Sequence, residues 1–209
     1  MRVLPLAASG AIYTANSYLI LGDWSRLEDV NALIDPGRDP LVLQGLDRAP
    51  TGVGKRKVDL VVLTHSHYDH VELAPRIREK YHAKVAALSD AAGGVDELLE
   101  DGQRLRMGDD WFDVIAIHGH TSDSLCLYNE AHGVLFSGDA PLFIHYPGGD
   151  YEPEFLTAME TLCRRDVRVI YPGHGQPVFE NCNSRLRESV WQIREFVAGQ
   201  SDNQTRRTR

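Results

Sequence analysis

Apolar positions along the chain fall into short runs that end at glycine, proline or aspartate, the pattern of strands covered on both faces. Ser17 to Leu21, Val30 to Ile34 (closed by Asp35-Pro36-Gly37), Asp59 to Leu63 and Lys84 to Leu88 are of this kind. Leu73, Ile77 and Tyr81 recur at helical spacing, and Ser89 stands where an N-cap would open a helix over Ser89 to Glu100, weakened by Gly93-Gly94. From 103 to 136 short strands return, namely Arg104 to Met107, Trp111 to Ile117, Leu125 to Tyr128 and Val134 to Phe136. Gly102, Gly108 and Gly133 punctuate them as in a β meander. Pro153 suits the first turn of a helix with Phe155, Met159, Leu162 and Cys163 on one face. Val167 to Tyr171 reads as a buried strand, and Leu186, Val190, Ile193 and Val197 set a last amphipathic helix. Beyond Gly199 no apolar residue occurs, so residues 199–209 are expected as a disordered tail behind one domain over residues 1–198. Strand-rich segments with helices between them predict an α/β sandwich of sheets covered by helices.

Composition narrows the classes. With 209 residues and a mean hydropathy of −0.30, one core suffices, and no run approaches the roughly 18 apolar residues of a membrane span. The apolar stretch within Met1 to Gly10 is too short for a signal peptide, so the expectation is a cytoplasmic protein with no membrane partner. Lys and Arg total 22 against 30 Asp and Glu, a net charge of −8 that lacks the basic footprint of a nucleic-acid binder. Cys126, Cys163 and Cys182 show no C-x-x-C spacing, which speaks against a disulfide framework or thiolate zinc site. Trp24, Trp111 and Trp191 read as core or interface aromatics, and a homodimer is allowed.

The chemistry lies in the histidines. Directly after Leu60-Val61-Val62-Leu63 comes Thr64-His65-Ser66-His67-Tyr68-Asp69-His70, four metal donors within six residues at a strand end. His65 and His67, two apart, share a direction if the chain stays extended, while Asp69 and His70 turn toward a second point. Gly119-His120, Gly138-Asp139 and Gly173-His174 each place one more donor beside a glycine where a strand ends. Glycine there permits close backbone approach. Imidazole and carboxylate donors without thiolate suit zinc first, and iron or manganese as well.

With those residues in view the chain resembles the metallo-β-lactamase superfamily, whose H-x-H-x-D-H signature stands as His65, His67, Asp69 and His70. Asn16 to Ile20 and Leu33 to Gly37 are similar to its opening strands, and His120, Asp139 and His174 match its later ligand motifs in order. The resemblance implies a single-domain four-layer αββα sandwich with two divalent metal ions at one edge. It assigns His65, His67 and His120 to one ion, Asp69, His70 and His174 to the other, and Asp139 to both. It further implies a metal-activated water as nucleophile, with Asp69 as the catalytic proton carrier.

The compact chain looks like the hydroxyacylglutathione hydrolase and lactonase branches, implying a small-molecule thioester or related ester as substrate. With one helix expected after His174, the glutathione-binding helical domain of the longer enzymes is not expected here. The tyrosine that lactonases carry three residues past the bridging Asp is replaced by Leu142. His145 and Tyr146 are the candidate substrate contacts, His118 a candidate outer contact, Tyr68 a packing residue, and His82 and His132 solvent-facing. A lactonase or phosphodiesterase is the alternative hydrolase. A mono-iron sulfur dioxygenase and a non-catalytic ligand sensor are the alternatives of other classes.

Overall fold

The computed structural model describes residues 1–144 and 153–207, with side chains of the last helix described to residue 196. In chain order its elements are β1 (Arg2–Leu6), β2 (Ser17–Leu21), β3 (Ala32–Ile34), α1 (Leu41–Arg48), β4 (Leu60–Val62), α2 (Tyr68–Val71), α3 (Ala74–Tyr81) and β5 (Lys84–Ala87). Then follow β6 (Glu97–Leu98), β7 (Arg104–Met107), β8 (Asp110–Ala116), β9 (Leu125–Asn129), β10 (Val134–Gly138), α4 (Pro153–Cys163), β11 (Val169–Pro172) and α5 (Cys182–Arg207). One sheet has the order β1-β2-β3-β4-β5-β6 and the other β11-β10-β9-β8-β7.

Three apolar layers make this a four-layer αββα sandwich. Leu19, Leu21, Leu33, Val61 and Val85 of the first sheet pack on Val42, Leu43, Leu46 and Ile77 of α1 and α3. The alternate residues Tyr18, Ile20, Ile34, Leu60 and Val62 meet Met107, Phe112, Val114, Leu127 and Phe136 between the sheets. Ile115, Cys126, Tyr128, Leu135 and Ile170 on the outer face of the second sheet are covered by Phe155, Met159 and Leu162 of α4 and Leu186, Val190 and Ile193 of α5. Strands buried on both faces need no polar alternation, which is why they read as continuous apolar runs.

Topology selects the functional edge. β3, β4 and β5 pair in parallel, so the strands need crossovers and their C-terminal ends share one edge. In the second sheet β8 and β9, and β9 and β10, are antiparallel, whereas β10 and β11 are parallel. The chain therefore leaves β8, β10 and β11 at a common edge, and His120, Asp139 and His174 follow those three strands. The Leu125 N–H donates to the Thr64 carbonyl at 2.9 Å, which joins that edge to the end of β4.

Some sequence expectations need correction. Residues 89–100 form no helix. Gly93 and Gly94 both take left-handed φ (+77° and +80°), the Asp90 side chain caps the Val95 N–H, and the segment ends as β6. Local hydrogen bonding by Asp and two consecutive left-handed glycines outcompete the helix. Trp24, Trp111 and Trp191 are 78%, 50% and 60% exposed, so none is a core residue. β1, α1 and the single turn α2 were not anticipated, and the helical backbone of α5 continues past Gly199 to Arg207. Cys126 is fully buried, as its apolar neighbours predict. No helix among the described residues is long and apolar enough to cross a membrane.

A candidate metal centre where the two sheets meet

The residues singled out by sequence converge. After β4 the chain bends at Thr64 and His65, is extended at His67 (φ −63°, ψ 142°) and then turns into α2, whose Asp69 and His70 are buried. This one reversal divides the run. His65 and His67 face His120, with ring centroids 4.9 Å and 4.6 Å from it, and His67 Nδ1 lies 2.9 Å from His120 Nε2. On the other side His174 Nε2 is 3.0 Å from Asp69 Oδ2, and the rings of His70 and His174 are 5.4 Å apart. Between these groups sits Asp139. Its Oδ1 is 3.3 Å from His70 Nε2, and its Oδ2 is 3.7 Å from His120 Nε2 and 3.5 Å from His174 Nε2. Donor atoms fall into three overlapping clusters: His65, His67 and His120; His65, His70 and Asp139; and Asp69, His70 and His174.

Buried polar atoms in this cluster lack conventional partners. His65 Nε2, His70 Nε2 and Asp139 Oδ1 are inaccessible and accept or donate no hydrogen bond among the described residues. Orphaning such atoms costs about 1–3 kcal/mol each, more when charged. Lone pairs converging on one point with no hydrogen to meet them are the requirement of a cation, and the imidazole and carboxylate set fits a divalent transition metal.

The opposite ring nitrogens are anchored by residues that sequence reasoning gave no role. Asp35 Oδ2 lies 2.9 Å from His70 Nδ1 and accepts from the Thr64 hydroxyl at 2.7 Å, while Oδ1 accepts the Thr64 N–H at 2.8 Å. The Thr64 hydroxyl is in turn 3.2 Å from His65 Nδ1. With that proton spent on Asp35, the hydroxyl accepts from His65, so both imidazoles keep their protons on Nδ1 and aim Nε2 lone pairs into the cluster. Asp35 is buried in a left-handed conformation (φ +47°). Its signal in sequence was only its place after β3, before Pro36-Gly37.

With no cation bound, the cluster's own carboxylates favour a second proton on His70, which a metal ion must displace on binding. Burial pulls the His70 pKa down, but Asp35 and Asp139 overcome it and push it up to about 10. Burial and the neighbouring His70 push His65 down to about 4. Burial opposes ionisation of Asp139, yet the His70 ring 3.3 Å away and the positive charge it carries hold the carboxyl below its ordinary 3.8.

The surrounding backbone is shaped to the cluster. Asn16 receives the Gly173 carbonyl on its N–H at 2.7 Å and the Pro172 and Gly175 carbonyls on its amide at 3.0 and 2.9 Å. The Ala15 N–H donates to the Asp69 carbonyl at 3.0 Å, so the segment before β2 ties both halves of the site together. A Cβ on Gly173 would collide with Asp139 Oδ1 and His70 Cε1, which makes glycine obligatory where β11 meets the cluster.

Tyr13 is the second group the sequence did not reveal. Its ring stacks on His174 with centroids 5.0 Å apart and planes at 15°, and its hydroxyl is 3.4 Å from His174 Nε2. His118 is partly buried and lines two cavities without touching the donors, beside Arg165 in one and Asp123 in the other. Tyr68 is exposed and lies under Arg38, 5.2 Å from guanidinium to ring, so it does not pack in the core. His82 and His132 are exposed, His132 paired with Asp110 at 2.9 Å. His145 and Tyr146 lie outside the described residues. A cavity of about 360 Å³ opens over His120, Asp139 and His174.

Residues 12–174 match the family described as the metallo-beta-lactamase superfamily. The chain belongs to that superfamily. Among its relatives, a hydroxyacylglutathione hydrolase of Mesorhizobium japonicum is 30% identical over 114 residues, 52% of this chain and 42% of that protein. An acyl-coenzyme A thioesterase, MBLAC2, of Gallus gallus is 28% identical over a 209-residue alignment covering 77% of this chain and 72% of its own length. Among solved structures, the BLEG-1 B3 metallo-beta-lactamase superposes with a TM-score of 0.67 at 20% identity, over 91% of this chain and 99% of that one. That likeness speaks to the fold. The matches to three hydroxyacylglutathione hydrolases span 42%, 41% and 62% of those enzymes' own lengths.

Proposed function

We propose that this superfamily member is a dinuclear metal-dependent hydrolase acting on a thioester or related ester of a small molecule. The observation that carries the reading is the convergence of seven donors in three overlapping clusters, with Asp139 in the middle one and orphaned Nε2 and Oδ1 atoms among them. In this reading His65, His67 and His120 hold one ion, Asp69, His70 and His174 the other, and Asp139 joins both. Bound there, two divalent ions, zinc first and iron or manganese by the same donor set, supply Lewis acidity and an activated water.

The chain's own groups do the rest. Asp35 and Thr64 keep His70 and His65 in the tautomer that binds. Asp69, held at Oδ2 beside His174, accepts the proton of the attacking water and returns it to the departing sulfur or oxygen. Tyr13 offers a hydroxyl beside His174 to an oxygen on which negative charge develops. Two relatives whose names specify hydroxyacylglutathione and acyl-coenzyme A favour a thioester over a lactone or phosphodiester.

The test combines elemental analysis with a hydrolysis screen. About two transition-metal ions per chain are expected, because seven donors exceed the needs of one ion. Thioester cleavage should be lost on chelation and restored by metal. A single tightly bound iron would favour the sulfur dioxygenase alternative. Fully loaded protein inert toward thioesters, lactones and phosphodiesters, yet holding a small ligand, would favour a sensor.

A further inference from the structure

The cavity above the donors has a second chemically distinct end. His120, Asp139 and His174 line the cavity together with Arg185 of α5 and the apolar side chains of Leu142 and Val178. Arg185 makes no ion pair among the described residues. Its guanidinium carbon lies 3.7 Å from the Phe143 ring centroid, a cation–π contact that holds the head group in place. It also occupies the first turn of α5, where the helix's positive pole disfavours a cation and no acidic side chain offsets it. In a chain of net charge −8, an oriented cation lacking a protein partner on the wall of a cavity calls for an anionic ligand. Arginine's planar fork matches a carboxylate in particular.

We propose that Arg185 anchors a carboxylate of the substrate. This rests on the hydrolase reading above and deepens it, since it limits the substrate class to esters or thioesters that carry a carboxylate apart from the scissile carbonyl, with apolar atoms between. The reacting carbonyl meets the end marked by Asp139, the apolar stretch lies along Leu142 and Val178, and the carboxylate meets Arg185. The same anion can reside on the acyl group or on the leaving thiol.

Paired thioesters separate these sources. For the acyl side, glutaryl-N-acetylcysteamine is compared with hexanoyl-N-acetylcysteamine. For the thiol side, the acetyl thioester of 3-mercaptopropionate is compared with that of 3-mercaptopropanamide. The wild-type protein should favour the carboxylate member of one pair at least tenfold in kcat/KM, and the pair that shows the preference identifies the source. Arg185→Gln should lower that ratio about tenfold, chiefly through KM, as expected for loss of a charge-assisted contact. Arg185→Glu should reverse the preference toward a 4-(trimethylammonio)butyryl thioester, or toward a thioester of thiocholine, which a purely structural role for Arg185 could not produce. No preference in either pair, or a preference unchanged in Arg185→Gln, would overturn the assignment. Calorimetric titration with the ketone analogue of the glutaryl compound, CH2 replacing sulfur, reads the anchor without turnover. If no thioester is cleaved but this analogue binds about tenfold more weakly to Arg185→Gln, the hydrolase reading fails and the anchor stands. Equal binding of this analogue to both proteins, with no Arg185-dependent preference in the thiol pair, removes the anchor.

Discussion

Substituting Asp35 by asparagine tests how the cluster is wired. Asp35 takes three donors, the Thr64 N–H at 2.8 Å, the Thr64 hydroxyl at 2.7 Å and His70 Nδ1 at 2.9 Å, two of them on Oδ2. In Asp35→Asn the amide oxygen can still accept the Thr64 N–H, but an NH2 replaces the acceptor that served the other two. The least costly relaxation moves the His70 proton from Nδ1 to Nε2, so that Nδ1 accepts from the new amide. That places a hydrogen on the atom required as a metal donor. Metal affinity should therefore fall about 10–100-fold, the usual effect of losing a carboxylate behind a ligating histidine. The fold should lose only about 1–3 kcal/mol, since asparagine tolerates the left-handed φ of +47° and keeps part of the network. Asp35→Ala should cost more, adding about 1–2 kcal/mol for alanine in that conformation and leaving three buried donors unmet. Competition with a chelating indicator measures affinity, and urea unfolding of the metal-stripped proteins measures stability. Wild-type metal affinity in Asp35→Asn, or an alanine variant as stable as the asparagine one, would refute the reasoning.

Further expectations follow from other parts of the molecule. Tyr13→Phe retains the stack on His174 and removes only the hydroxyl, so kcat should fall about tenfold with metal content unchanged; equal activity would remove Tyr13 from the chemistry. Gly173→Ala forces a methyl group against Asp139 and His70 and should lower metal content in elemental analysis; full loading would show that the loop yields without cost. Asp139→Ala removes the carboxylate proposed to join the two ions, and should bind no more than about one ion and lose more activity than His118→Ala. The Lys80 ammonium, 2.7 Å from Asp47, together with the Tyr81 hydroxyl holds the Asp47 carboxyl below its ordinary 3.8. A depressed carboxyl contributes stability above that ordinary value and loses it as pH falls through the folded-state value. The difference in urea midpoint between wild type and Asp47→Asn should therefore shrink between pH 6 and pH 3; a constant difference would show that the charge contributes nothing.

The reach of the sequence can be judged residue by residue. The apolar runs at Ser17 to Leu21, Leu60 to Leu63 and Leu125 to Tyr128 were legible because strands covered on both sides declare themselves locally, and His65, His67, Asp69 and His70 because a donor keeps its chemistry wherever it folds. β1 (Arg2–Leu6) was hidden by Pro5 in its interior and α1 (Leu41–Arg48) by its brevity. The expected helix over residues 89–100 gave way where Gly93 and Gly94 went left-handed. What tertiary structure alone decided was the set of partners that give the donors direction. Asp35 reaches His70 across 35 residues, and Tyr13 reaches His174 across 161. Arg185 comes to the cavity only because α5 packs back over the second sheet. A residue's type and local period are written in the chain itself, whereas the proton on a particular imidazole nitrogen depends on a neighbour that only the pairing of β3 with β4 brings within 3 Å.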